Sequence, residues 1–237
     1  MRGLVIIPAY NEADAIIHTV DNIKTNAPDF DYIVINDCST DDTQKVLEEN
    51  NIRHINLPVN TGIGGAVQTG YIYADRNHYD CAIQMDGDGQ HDASFLNGMM
   101  KKLEANKADM IIGSRFINNE GFQSSGLRRV GIRYFSRLIR RLTGVLITDP
   151  TSGMRLVNRE IIHLFSKSYP KDYPEPESTV ILLKKGYRVC EIPVRMLARA
   201  SGKSSISLKK SIYYMIKVPL ACYFAAISTK KEERKTV

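Results

Sequence analysis

The sequence of 237 residues lacks the features of a disulfide-rich, repetitive or secreted protein. Its four cysteines are scattered without metal-ligand spacing, and we expect free thiols in a reducing compartment. No secretory signal is recognised, because residues 1–3 lead directly into a strand-like segment. There is also no internal repeat and no low-complexity linker. A cytoplasmic globular protein is therefore expected.

Long hydrophobic runs are equally scarce. The most apolar segment, residues 212–227, is interrupted by Lys217 and Pro219 and is shorter than the roughly 20 residues that a membrane-spanning helix requires. It predicts an interfacial helix or a dimer surface rather than a membrane crossing. We assign it, with a charged tail, to a C-terminal unit of residues 206–237 that follows a main domain of residues 1–205.

The composition itself is ordinary, with 43% hydrophobic and 24% charged residues, and is sufficient for one large α/β domain. The net charge of +6 would suit nucleic acid, an anionic membrane or an anionic substrate. No nucleic-acid-binding motif accompanies it, so we do not expect a nucleic-acid partner. Arginines in residues 128–142 flank an apolar stripe at helical spacing. This pattern predicts either a helix at a membrane surface or anionic acceptor, or a packed helix with a solvated arginine face.

Short apolar segments alternate with helix-like segments through the first half of the chain. Such alternation predicts an α/β fold with right-handed crossovers and a mostly parallel, Rossmann-like sheet. Function is then expected at the carboxyl ends of the strands, where the polar clusters of this sequence also fall. The predicted strands are residues 4–7, 32–35, 54–57, 81–85 and 110–113.

Two carboxylates separated by one glycine, Asp86 and Asp88, end the fourth predicted strand. Anionic oxygens at the edge of a parallel sheet suit Mg²⁺ or Mn²⁺, which proteins bind through one or two carboxylates together with substrate phosphates. A plain Asp-Gly turn is the alternative.

A second candidate, the glycine-rich run from Gly62 to Gly65, opens a helix and can attract an anion through the helix N-terminus. It lacks the spacing of the known nucleotide-binding fingerprints, and a simple loop into a helix explains it equally well.

Taken together, these segments resemble glycosyltransferase family 2, inverting enzymes of GT-A fold that use nucleotide sugars. The likeness is strongest to the branch with dolichol-phosphate mannose synthase and bacterial polyprenyl-phosphate glycosyltransferases, and it spans about residues 4–205. The matching motifs are Pro8-Ala9-Tyr10-Asn11-Glu12, residues 36–41, residues 60–66 with Gly70, residues 86–92, Gly113-Ser114-Arg115, residues 149–155, Gly186-Tyr187 with Glu191-Ile192-Pro193, and Arg199 with Gly202-Lys203-Ser204.

The resemblance implies a role for each matching position. Residues implied to hold the donor base and ribose are Pro8, Tyr10, Glu12 and Asp37, and Gly65 lies in the matching glycine-rich segment. Asp86 and Asp88 match the motif that binds the diphosphate through Mn²⁺ or Mg²⁺, with Gln90 as a further ligand. Arg199 matches an arginine that reaches the diphosphate from a segment closing the site, assisted by Lys203.

Two departures from the family pattern limit the transfer of properties. The usual Asp-Asp-Gly-Ser is Asn36-Asp37-Cys38-Ser39 here, so the nucleotide preference cannot be copied. The long hydrophobic transmembrane tail of some relatives is also missing.

The resemblance predicts transfer of a sugar from a UDP- or GDP-sugar to a polyprenyl phosphate or a growing polysaccharide at the cytoplasmic face of the membrane, with a homodimer possible. A hydroxyl acceptor would need a general base, whereas an acceptor phosphate already carries an oxyanion. Asp149 is the first candidate base, with a plain turn before Pro150 as the alternative. Glu175 or Glu177 could face the sugar or the acceptor, and a solvated acidic loop explains them equally well. Two alternatives stay open, namely a catalytically silent scaffold of the same fold and a sugar nucleotidyltransferase.

Overall fold

The computed structural model describes residues 1–105, 108–118, 126–197 and 208–229. Its strands form one sheet of seven in the order β3-β2-β1-β4-β6-β5-β7. The strands are β1 (Gly3–Ala9), β2 (Phe30–Asn36), β3 (His54–Asn56), β4 (Cys81–Gln84), β5 (Met110–Ser114), β6 (Arg155–Asn158) and β7 (Val189–Pro193). The predicted α/β class and all five predicted strands are confirmed.

The sheet is mostly parallel, as predicted. β1 pairs in parallel with β2 and β4, and β5 pairs in parallel with β7. β6 is the exception, since it runs antiparallel between β4 and β5. The carboxyl ends of β1, β2 and β4 therefore meet at one edge, which is where parallel α/β sheets bind ligands.

Helices cover both faces of this sheet. They are α1 (Ile16–Asn26), α2 (Thr43–Glu49), α3 (Gly62–Arg76), α4 (Leu96–Ala105), α5 (Gly126–Thr143), α6 (Arg159–Lys167), α7 (Pro174–Lys185) and α8 (Leu208–Ser228). Along β1, Leu4 and Ile6 belong to one core with α3 and α5 to α8, while Val5 and Ile7 belong to a second core with α1, α2 and α4. Burial on both faces explains why β1 is continuously apolar.

Two glycines let α3 lie close to its neighbours. A Cβ on Gly70 would stand 2.2 Å from Cγ2 of Ile6, so the helix can rest directly on β1 only without a side chain there. A Cβ on Gly64 would stand 2.2 Å from the carbonyl oxygen of Pro170, and the Gly64 N–H donates to the carbonyl of Lys171 at 3.2 Å. The start of α3 is thus fixed against the segment that precedes α7.

Both predicted surface helices are present. α5 contains the basic segment 128–142, and α8 contains the apolar segment 212–227, with Pro219 inside the helix. Among the helices that the structure describes, none combines the length and apolarity needed to span a bilayer. All four cysteines are free thiols, as predicted. The predicted domain boundary after residue 205 and the charged tail after residue 229 lie outside the described residues.

Candidate active site

The loop that follows β4 carries the aspartate pair along the carboxyl edge of the sheet. Gly89 has a φ of 75°, a left-handed conformation that glycine adopts without strain. A Cβ on Gly87 would stand 3.2 Å from the carbonyl oxygen of Pro8, and the Gly87 carbonyl accepts a hydrogen bond from Thr19 Oγ1 at 2.9 Å. Contacts with β1 and α1 therefore hold the loop in place.

Asp86 and Asp88 have different surroundings. The Asp86 side chain is 39% exposed, accepts from Gln84 Nε2 at 3.3 Å and lies 3.6 Å from His91 Nε2. Asp88 is buried, and its Oδ1 accepts the N–H of Gln90 at 3.1 Å. The loop thus presents one accessible carboxylate and fixes the other through the backbone.

These residues suit a cation that substrate completes. Within the part of the chain that the structure describes, no three His, Cys, Asp or Glu side chains form a preassembled metal cluster. Two carboxylates are nevertheless the usual protein share of a Mg²⁺ or Mn²⁺ site whose other ligands are phosphates and water. Next to Asp86, the buried atoms Gln84 Oε1 and His91 Nδ1 have no hydrogen-bond partner among the residues that the structure describes. Unsatisfied polar atoms of this kind are typical of a functional site.

The predicted nucleotide residues surround the ends of β1 and β2. Asp37 is buried, and its Oδ1 accepts from both the N–H and the Oγ1 of Thr61, at 2.7 and 2.8 Å. These bonds fasten the end of β2 to the start of α3, where Gly65 lies against Thr61. Tyr10 is 47% exposed beside this edge, as expected of a side chain available to a ligand.

The loops after β1 and β2 also bind each other. The Asn11 N–H donates to Ser39 Oγ at 3.0 Å, and Asn11 Oδ1 accepts the N–H of Thr40 at 2.8 Å. The Glu12 N–H donates to Thr43 Oγ1 at 2.9 Å. Asn11 has a φ of 59° and Cys38 a φ of 57°, and such left-handed residues often occur at ligand sites. The two loops form one rigid wall of the edge.

Asp149, the predicted base, is engaged in a buried ion pair. Its carboxylate is fully buried, and its two oxygens accept from Nε and Nη2 of Arg115 at 2.6 and 2.7 Å. Burial lowers the pKa of Arg115, but the hydrogen bonds and the charge of Asp149 raise it by more than burial lowers it. The net result is a pKa above the usual range. The carboxylate of Glu191 accepts a hydrogen bond from the backbone N–H of Asp149 at 2.9 Å and so helps to fix the position of Asp149.

A second buried cation, Arg155, supports the start of α7. Its guanidinium donates to the backbone carbonyls of Pro150, Ser152 and Glu175 and to the Ser178 and Thr179 hydroxyls. The Glu175 carboxyl interacts electrostatically with both Arg155 and Asp86. Burial raises the pKa of Glu175, nearby Asp86 raises it further, and Arg155 opposes the shift.

Glu177, the other predicted acid, lies toward α8. Burial raises the pKa of its carboxyl, with a further increase from Asp172 and an opposing contribution from Lys217. Its charged neighbours therefore differ from those of Glu175, which interacts with Asp86.

The segment after β7 approaches the aspartate loop. The Leu197 N–H donates to the Gln90 carbonyl at 2.9 Å, and Arg195 Nη2 lies 3.3 Å from Asp92 Oδ2. Arg199 and Lys203 follow within this segment but lie outside the described residues. Their predicted contact with the diphosphate stays a prediction.

Sequence reasoning missed the polar atoms that support this edge. Gln84, Thr61 and Arg155 were assigned no role, yet they contact Asp86, Asp37 and the start of α7. A buried arginine in particular has no signal in a single sequence, because arginine is mostly an exposed residue. Gln84 did carry one signal, namely a polar residue within an otherwise apolar strand.

Comparison with known proteins identifies the family of the chain. Residues 4–165 match the family model described as Glycosyl transferase family 2. The chain is 27% identical over 219 residues to the undecaprenyl-phosphate mannosyltransferase of Micrococcus luteus, covering 87% of this chain and 88% of that protein. It is 29% identical over 213 residues to the UDP-N-acetylglucosamine–dolichyl-phosphate N-acetylglucosaminyltransferase of Methanococcus voltae, covering 81% and 84%.

A solved structure supports the same fold. Glucosyl-3-phosphoglycerate synthase from Mycobacterium tuberculosis superposes with a TM-score of 0.73 over 98% of this chain and 81% of that chain, at 17% identity. At this identity the likeness shows the fold alone, and it confirms the predicted GT-A architecture. Fold and matching relatives together define a glycosyltransferase. The chain belongs to glycosyl transferase family 2, and the relatives lie in the polyprenyl- and dolichyl-phosphate branch that the motifs predicted.

Proposed function

We propose that this glycosyltransferase moves a hexosyl group, with inversion, from a UDP- or GDP-sugar to a polyprenyl phosphate in cell-envelope glycan synthesis. The observation that carries the proposal is the Asp86–Asp88 pair, with one accessible carboxylate, beside the interlocked loops of β1 and β2. The named lipid-phosphate relatives support the acceptor class. The family match supports this function over a nucleotidyltransferase, and the retained Asp86–Asp88 pair supports it over a catalytically silent scaffold.

In this proposal Pro8, Tyr10, Glu12 and Asp37 hold the nucleoside of the donor. Asp86 and Asp88, with Gln90 as a further ligand, would hold Mn²⁺ or Mg²⁺. When bound, the cation neutralises charge on the leaving diphosphate. Asp88 is the fixed ligand because its carboxylate is buried and held by the Gln90 N–H, while Asp86 remains accessible.

In the transfer step, no proton has to be removed from the acceptor. An oxygen of the acceptor phosphate attacks the anomeric carbon, the bond from that carbon to the diphosphate oxygen breaks, and the diphosphate leaves with the electron pair. Because the nucleophile is already anionic, a general base is not required. The Arg115 ion pair supports a positioning role for Asp149, since both carboxylate oxygens already accept hydrogen bonds. Its predicted role as a base would apply to a hydroxyl acceptor.

A lipid-linked acceptor requires contact with a membrane. We therefore propose peripheral association with the cytoplasmic face, without a membrane crossing by the described helices. A homodimer is compatible with the same activity, and nucleic acid has no part in it.

Replacement of Asp88 tests the metal-dependent part of the proposal. Asp88→Asn keeps the shape of the side chain but removes a charged ligand, so transfer and Mn²⁺-dependent binding of UDP or GDP should fall by about 10²-fold or more while the fold is kept. Calorimetric titration of both nucleotides with and without Mn²⁺ measures the binding and identifies the base. Asp29→Asn, at an exposed aspartate, is the matched control. Unchanged turnover in Asp88→Asn would refute the assignment.

A further inference from the structure

The outer face of α8 is an apolar stripe. Six large side chains at helical spacing of three and four residues are between 52% and 65% exposed, namely Tyr213, Ile216, Leu220, Tyr223, Phe224 and Ile227. The opposite face packs into the core through Val218, Cys222 and Ala225. The stripe is therefore a fixed surface of a docked helix.

α5 extends this surface. Val130 is 56% and Tyr134 44% exposed, while Phe135 on the inner side of α5 packs against Tyr214 of α8 with ring centroids 5.2 Å apart. Leu146, just after α5, is 52% exposed. Because α5 and α8 pack against each other, their exposed apolar side chains are grouped, unlike the singly scattered ones that are normal for a soluble protein. We call it the α5–α8 surface.

Positive charge is concentrated in the same two helices. α5 contains six arginines and α8 three lysines, and neither contains an acidic residue. Because the whole chain has 32 Lys and Arg against 26 Asp and Glu, its remainder carries a net charge of −3. Five of the arginines, at positions 129, 133, 137, 140 and 141, have exposed side chains. Lys217 is paired with Asp172.

We propose that the α5–α8 surface docks on an anionic lipid bilayer, with α8 lying in the membrane interface. An apolar face with flanking cations is the chemistry that such a surface binds, since apolar side chains enter the headgroup region and cations attract anionic lipids. The docking itself does not depend on the proposed function. Only the role that we give it, which is to bring the enzyme to a lipid-linked acceptor, rests on that function.

Charge argues against a second copy of the chain as the occupant. A two-fold dimer through this surface would place the same patch on both sides, so the arginines of one protomer would face those of the other. Like charges brought together in this way oppose association. An anionic bilayer instead complements both the apolar stripe and the arginines.

Vesicle flotation tests the inference without any substrate. The full chain should float with vesicles of phosphatidylglycerol and phosphatidylcholine at low salt, and should bind much less to pure phosphatidylcholine or at high salt. Ile216→Gln/Phe224→Gln should weaken partitioning by on the order of tenfold per side chain. Arg133→Gln/Arg137→Gln should weaken it by about fivefold per arginine, and only on anionic vesicles.

Matched controls separate this surface from general effects. Ile17→Gln/Val59→Gln alters exposed apolar side chains elsewhere, and Lys101→Gln/Lys102→Gln alters exposed cations on α4, so both should float like the wild type. Circular dichroism checks that each variant is folded.

Three outcomes would overturn the inference. The first is flotation that does not depend on anionic lipid, and the second is α5–α8 variants that float like their controls. The third is a wild-type protein that does not float and that sedimentation velocity shows to be a dimer, where Ile216→Gln/Phe224→Gln dissociates that dimer. A protein that floats as expected but transfers no sugar would contradict the proposed function alone.

Discussion

Gly153 touches the accessible aspartate, and its replacement by alanine is expected to damage activity without damaging the fold. A Cβ at this position would stand 2.9 Å from Asp86 Oδ2 and 3.0 Å from Oδ1. Ordinary contacts begin at 3.4 Å, so the carboxylate must move by about 0.5 Å. The Asp86 carboxylate can move by this distance because it is the partly exposed end of a side chain.

The magnitude follows from this displacement. A misplacement of about 1 Å at a reacting centre can cost on the order of 10²-fold in rate, so a shift of half that size should cost roughly tenfold. The Mn²⁺ concentration needed for half-maximal activity should rise as well. Because Gly153 is not among the residues with positive φ, alanine introduces no backbone strain, and the free energy of unfolding should change by less than about 1 kcal/mol.

Gly98 provides the matched control. A Cβ there would meet no atom within 4 Å, and the residue lies within α4. Gly98→Ala should therefore raise the free energy of unfolding by about 0.5–1 kcal/mol and leave transfer unchanged. Transfer rates and Mn²⁺ titrations of the two variants, with urea unfolding, make the comparison. If Gly153→Ala keeps wild-type activity and Mn²⁺ dependence, Asp86 does not act as a metal ligand in the way proposed.

Two further predictions concern buried charges. Asp149→Asn leaves the Arg115 guanidinium buried without its counter-charge and should lower the free energy of unfolding by about 3–5 kcal/mol. Glu49→Gln, at the exposed pair with Lys45, should cost under about 1 kcal/mol, and equal losses in urea titrations would contradict the argument. Because the pKa of Glu175 is raised on folding, wild-type stability should fall as the pH rises from the usual value of about 4.5 through the raised pKa. Glu175→Gln should remove this part of the fall, and identical pH profiles would disprove it.

The edge of the sheet could be predicted because its signals are local. β1, β2 and β4 are mostly apolar segments, and polar residues such as Asp37 and Asp86 come within two residues of the ends of β2 and β4. Parallel strands bring their carboxyl ends together, so these side chains had to converge once the strands were recognised. The family resemblance then added roles to positions that the pattern had already placed.

The part of the site formed by β6 and by the Asp149–Arg115 ion pair could not be predicted in the same way. β6 is only four residues long and begins with Arg155, a residue type whose usual place is the surface. Its antiparallel position between β4 and β5 depends on pairing over long sequence separations. The engagement of Asp149 by Arg115 has the same origin, since the partners are 34 residues apart and nothing local signals that they meet.

The segment before α7 connects the donor side of the enzyme to the α5–α8 surface. Its Lys171 carbonyl accepts from Gly64 at the start of α3, next to the turn in which Thr61 holds Asp37. Two residues later, Tyr173 packs edge-on against Tyr214 of α8, with ring centroids 4.5 Å apart. The start of α3, beside the predicted nucleotide site, and α8, which we assign to the membrane, thus both contact the short segment before α7. Since α8 is packed into the core on its inner face, docking through its outer face would set the orientation of the whole catalytic edge relative to the lipid surface.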